Sequence, residues 1–158
     1  MIAFASATLA QFTSPQLLVP CLQGDHRESV IAELSQCLAG AGWLEDAAMF
    51  TRSVLEHEAQ APAVFDGVAF PLAHPGALCR LAFAVGLARQ PFPWGGPRSP
   101  RVRAVVLLAV PVAETSRQLP LILAFCKFLG DSTAFASLRA SRTPAEMLAV
   151  LDRIRFQP

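Results

Sequence analysis

Two short apolar runs constrain the fold of this chain more than any other feature: Leu-Ala-Phe-Ala-Val-Gly-Leu at residues 81–87 and Val-Arg-Ala-Val-Val-Leu-Leu-Ala-Val at residues 102–110. Turn-forming residues bound both runs. Their length therefore suits strands, and their near-continuous apolar character requires cover on both faces. They predict the centre of a buried sheet.

The cover is legible on either side of them. Asp25 and Glu28 form a capping-box pair, and Val30, Ile31, Leu34, Cys37 and Leu38 follow at helical spacing until Gly40 and Gly42. Residues 119–129 read as a second apolar helix, because Pro120 falls in a first turn where its missing donor has no partner to lose. Thr143-Pro144-Ala145-Glu146 starts a last helix with an N-cap hydroxyl and a proline at the first helical position, and Leu148, Leu151 and Ile154 face inward. Helices alternating with buried strands define an α/β layer fold. Val30, Leu34, Phe83, Val85, Val105, Leu107, Leu121, Leu123, Leu148 and Leu151 are expected to share one core.

Composition removes several classes of function. With 158 residues, 53% hydrophobic and 16% charged, residues 1–158 fit a single domain with a substantial core. A net charge of +1 without a basic stripe disfavours nucleic acid. The longest apolar run, residues 104–113, is too short to insert across a bilayer, and residues 1–24 lack the basic start of a signal peptide. A cytoplasmic location is expected. Cys21, Cys37, Cys79 and Cys126 are far apart among apolar residues and read as buried thiols. Glu56-His57-Glu58 has no further clustered ligand, so neither a metal site nor a cofactor is expected. Pro91-Phe92-Pro93-Trp94-Gly95-Gly96-Pro97 reads as a turn between strands whose exposed Phe92 and Trp94 can anchor a partner.

The segment Asp66-Gly67-Val68-Ala69-Phe70-Pro71-Leu72-Ala73-His74-Pro75 carries the functional signal. It resembles the phosphohistidine loop of the enzyme IIA domain in the fructose, mannitol and nitrogen-regulatory branch of the bacterial phosphoenolpyruvate-dependent phosphotransferase system. There a Gly-x-Ala-x-Pro run leads directly into histidine. Residues 14–23 are similar to the family's opening strand, 25–42 to its first long helix, and 44–59, with Phe50, Val54, Leu55 and Glu58, to its second. Pro111 to Leu119 is similar to the stretch in which a proline and a polar segment precede a second histidine at a helix start. The resemblance implies a mixed sheet flanked by helices. It also implies a histidine that takes a phosphoryl group from a small carrier protein and passes it to a cysteine on a partner domain.

The catalytic positions depart from that pattern. Leu72 stands in the active histidine's place, and an aliphatic carbon offers no lone pair to phosphorus. Gln118 replaces the second histidine; it still hydrogen bonds but cannot become imidazolium. The family's small hydroxyl pair is missing from Gln60-Ala61-Pro62-Ala63. His74 is either a relocated acceptor or a neighbour of the lost site, where many relatives carry arginine. Arg117, at a helix start, can hold an anion or stand solvated. By resemblance, residues 70–75 and 117–119 converge on one face, with Phe70, Pro71 and Arg117 open to an anion or a partner.

Two functional readings follow. The favoured one is a catalytically degenerate enzyme IIA-like domain that acts as a regulatory or protein-binding module, its partner a phosphocarrier or a transporter or regulatory component. The alternative is an active phosphocarrier using His74.

Overall fold

The computed structural model describes residues 7–75 and 80–156. Its elements, in order, are β1 (Ala7–Thr8), β2 (Leu18–Val19), α1 (Arg27–Gly40), α2 (Ala47–Gln60), β3 (Val64–Phe65), β4 (Val68–Ala69), β5 (Leu72–Ala73), β6 (Ala82–Pro93), β7 (Arg101–Ala109), α3 (Gln118–Leu129), α4 (Ser132–Arg139), α5 (Pro144–Leu151) and β8 (Arg155–Phe156). The two apolar runs become β6 and β7, an antiparallel pair at the middle of a mixed sheet ordered β2-β6-β7-β4-β3. β4 and β5 both pair with β7 in parallel, Val68 opposite Ala104 and Leu72 opposite Leu108. The common offset makes them one strand interrupted at Phe70-Pro71, where proline removes a donor. β1 and β8 form a separate antiparallel ribbon.

Strand alternation divides the core in two. Phe83, Val85, Val106 and Leu108 face α3, α4 and α5, while Ala82, Ala84, Val105 and Leu107 face α1 and α2. The single core expected from periodicity is thus two half-cores. Val30, Leu34, Val105 and Leu107 lie in one, and Phe83, Val85, Leu121 and Leu151 in the other. Leu148 only packs against the margin, and Leu123 is 56% exposed because the buried stripe of α3 runs through Leu121, Ala124, Phe125 and Phe128.

Further local expectations change. Residues 14–23 supply a 3-10 turn, Pro15–Leu17, and only a two-residue strand. The capping box of α1 is formed by His26 and Ser29, one residue after the Asp25-Glu28 pair. α5 keeps the expected start, with Thr143 Oγ1 accepting from the Glu146 amide at 3.2 Å. Cys21 is exposed and Cys37 and Cys126 are half-buried, so these thiols are not sealed in the core; Cys79 lies outside the described residues.

The 91–97 stretch is a turn only in part: Phe92 and Pro93 still belong to β6, paired with Val102 and Arg101, and residues 94–100 make the connection to β7, with the aromatics turned inward, Phe92 6% and Trp94 2% exposed. The indole Nε1 of Trp94 donates to Glu58 Oε2 at 2.7 Å, which gives the buried donor a partner and removes Trp94 as a surface anchor. Glycine is required at 86 for close approach. A Cβ there would meet the Leu22 side chain at less than 3.0 Å.

Candidate functional site

The site lies at the C-terminal end of β7. Leu108 N donates to Pro71 O at 2.9 Å and Val110 N to Ala73 O at 3.0 Å, so residues 71–74 travel beside β7 to its last residue. A segment expected as a loop therefore holds a two-residue strand, Leu72–Ala73, hydrogen-bonded to β7 on either side. Successive side chains point to opposite faces. Leu72, 5% exposed, enters the half-core that also holds Leu121 of α3, and Ala73 enters the other. Phe70 and Pro71 are buried as well, with the Phe70 ring against Phe65 and Phe125. None of the three offers an open contact surface.

His74 emerges where the strand ends. Its ring is exposed, and Nδ1 lies 2.9 Å from Val110 O. A carbonyl only accepts, so Nδ1 carries the hydrogen, and the neutral ring keeps its lone pair on Nε2. The ring borders a cavity of about 430 Å3 lined by Trp43, Leu44, Asp46, Met49 and Ser53, from the α1–α2 connection and the start of α2. Asp46 caps that helix by accepting from Met49 N at 3.0 Å, and the Arg80 guanidinium lies 4.9 Å from the Trp43 ring centroid.

On the other side of β7, residues Val112–Arg117 form a 3-10 turn leading into α3. Glu114 organises it. One carboxylate oxygen accepts from the Leu81 amide, and the other accepts from Arg117 at 3.1 Å. Arg117 is therefore a half-buried, paired cation. The start of α3 offers little to an anion, because Gln118 N already donates to Thr115 O and Pro120 has no N–H. Gln118 is half-buried three residues before Leu121, and residues three apart share a helix face, so it lies on the side of α3 that carries Leu121. Its side chain has no hydrogen-bond partner among the described residues. Val112, at the start of the 3-10 turn, and Leu119, next to Gln118 in sequence, are 71% and 62% exposed.

The fold thus sets Leu72 in the half-core that holds Leu121 of α3 and His74 at the strand end beside the α1–α2 connection. Among the described residues no hydrogen bond joins His74 to Gln118 or Arg117. Sequence reasoning missed Glu114, whose i, i+3 spacing to Arg117 was a readable ion-pair signal, and Asp46, a readable N-cap. The Val110 carbonyl that fixes the His74 ring left no trace in the sequence.

This arrangement is that of a known class. The model of the phosphoenolpyruvate-dependent sugar phosphotransferase system EIIA 2 family matches residues 11–154, and the chain belongs to that family. It is 34% identical over 129 residues to the PTS system 2-O-alpha-mannosyl-D-glycerate-specific EIIABC component of Escherichia coli K12. The match takes in 80% of this chain and 20% of that protein, so the chain spans about a fifth of this relative's length. Among solved structures, the nitrogen regulatory protein IIA-Ntr of Neisseria meningitidis superposes with a TM-score of 0.79 at 17% identity, covering 90% of this chain and 98% of that one. A chain of the complex of enzyme IIAMTL and phosphorylated enzyme IIBMTL from Escherichia coli superposes with a TM-score of 0.70 at 15% identity, covering 87% and 95%.

Proposed function

We propose that this chain is a type 2 enzyme IIA domain that binds protein partners and carries no phosphoryl group at position 72. The burial of Leu72 is the observation behind this reading. At 5% exposure, in a strand paired to β7, its side chain fills the place of a nucleophile and offers none. The domain then acts through its surface, as a regulatory or binding module for a phosphocarrier or a transporter component in the cytoplasm. The relative solved in complex with a phosphorylated enzyme IIB supports a partner of that kind. Val112 in the turn that leads into α3 and Leu119 in the first turn of α3 are both exposed and supply the apolar centre of the face that buried Leu72 cannot.

The His74 ring geometry favours a second reading. With Nδ1–H held by Val110 O, the Nε2 lone pair can attack phosphorus as the bond from phosphorus to the donor breaks, without moving a proton.

One experiment separates the two: intact-mass measurement after incubation with phosphoenolpyruvate and the general phosphotransferase proteins of the source cell. The first reading expects unmodified chain. An acid-labile phosphoryl adduct that disappears in His74→Ala establishes the second. For the binding face, Val112→Glu with Leu119→Glu should lose a specific partner captured by the wild type, while the variant keeps its circular dichroism; unchanged capture would move the face elsewhere.

A further inference from the structure

α3 carries one charged side chain, Lys127, in twelve residues. A helix apolar on almost every side is ordinarily covered on every side. α3 is covered only where it meets the sheet and its own layer, and Leu123 stands in solvent. Beside Leu123 a groove of about 800 Å3 runs between α3, α4 and the end of α5, with Phe128, Val150 and Ile154 among the side chains that line it. Its polar lining is one-signed. Lys127, Arg153 and Arg155 stand against the single carboxylate of Asp131, which is already engaged as the N-cap of α4 by the Thr133 and Ala134 amides, each at 3.1 Å. Among the described residues none of the three cations has a carboxylate within ion-pair distance.

We propose that this groove receives an acidic amphipathic helix from a partner protein, its apolar ridge seated beside Leu123 and its carboxylates on Lys127, Arg153 and Arg155. Charge selects this occupant. A second copy docked through the same patch across a twofold axis would set these cations against themselves. A bilayer surface would meet the cations but leave the concavity unfilled, whereas a helix ridge fills it. α3 presents roughly 18 Å of length, about three turns of a partner helix at ~1.5 Å per residue.

The probe is a fluorescein-labelled helical peptide with leucines at i, i+3, i+4 and i+7 and glutamates elsewhere, followed by fluorescence anisotropy beside its lysine-for-glutamate counterpart. The acidic peptide should bind, weaken as salt screens the charges, and lose about tenfold or more in affinity to Leu123→Glu and to Arg153→Glu with Arg155→Glu. Arg52→Glu, a charge reversal at an exposed position on α2, should bind as wild type. All four substitutions are at exposed positions, and circular dichroism checks that each variant is folded. Absence of acidic-peptide binding, equal binding of the lysine peptide, or equal loss in Arg52→Glu would overturn the proposal. So would tighter co-sedimentation with phosphatidylserine vesicles than with peptide, or a dimer in sedimentation equilibrium that Leu123→Glu dissolves.

Discussion

Among the described residues Glu58 is the only carboxylate that the fold buries, and the chain should reveal this through the pH dependence of its stability. Glu58 is 1% exposed near the end of α2, with Trp94 Nε1 as its donor at 2.7 Å. Burial raises its pKa above the ordinary glutamate range; the indole N–H, the charges of Arg27 and His57 and the Ala63 backbone oppose this and do not cancel it. A raised pKa means that the folded chain holds the proton more tightly than the unfolded chain. The contribution of Glu58 is therefore most favourable below the ordinary glutamate range and is lost as pH rises through the folded value, beyond which it stays constant. Glu58→Gln should flatten that decline and gain on the wild type as pH rises. Trp94→Phe removes a hydrogen bond to a charged acceptor, a contribution of about 1.5–3 kcal/mol. In a domain of this size that lowers Tm by roughly 3–12 °C, at ~2–4 °C per kcal/mol. The assay is urea and thermal denaturation by circular dichroism across about pH 5–8, arranged as a double-mutant cycle so that the loss of indole volume cancels. If Trp94→Phe cost the same in the Glu58→Gln background as in the wild type at the upper end of that range, the charge on the buried carboxylate would add nothing to this hydrogen bond and the reasoning would fail.

Three further outcomes are expected. Leu107→Ala, at a fully buried position of the central strand, should cost about 2–5 kcal/mol in urea denaturation, and a shift near zero would mean that β7 is not central. Gly86→Ala drives a Cβ into the Leu22 side chain and should cost about 1–3 kcal/mol, most of it recovered by Leu22→Ala in the same chain; absence of recovery would place the strain elsewhere. Leu72→His should accept phosphate from phosphoenolpyruvate poorly alone and better with Gln118→His, because groups that act as one catalytic unit are non-additive; equal labelling of single and double variants would refute the cooperative account.

The layer order was legible because it depends on long patterns. The β6 and β7 runs, the stripe of α1 and the Thr143-Pro144 start all survive into the structure, since each is specified by several residues at once. What failed depended on single contacts across the fold. Trp94 reads as exposed in a turn rich in proline and glycine, and only Glu58, thirty-six positions away, gives its indole a reason to be buried. Asp66-Gly67 carried a local signal that went unused: both residues have positive φ, 48° and 78°, and close the β3–β4 hairpin in the manner favoured by that dipeptide. At the site, the leucine at 72 was readable as a side chain that offers no lone pair. Its burial was not, because strand phase depends on pairing with β7, which fixes whether residue 72 or residue 73 faces α3.

That phase bears on the two functional readings. A histidine at 72 would carry a polar ring into a half-core that holds Leu108 and Leu121, apolar side chains that offer its ring nitrogens no partner. Leucine satisfies the same backbone with apolar burial alone, a gain of about 1.5–3 kcal/mol for a fully buried side chain. Active sites commonly trade stability for reactive groups of this kind, and a domain working only by contact has no need of the trade. His74 faces no such conflict. It stands outside both half-cores, held by one carbonyl, so its presence costs the fold little under either reading. The two positions should therefore separate in a stability assay: Leu72→His should lower stability measurably while His74→Ala leaves it nearly unchanged. A large loss in His74→Ala would make that ring a structural clamp on the end of β7 and remove it as a phosphoryl acceptor free to act.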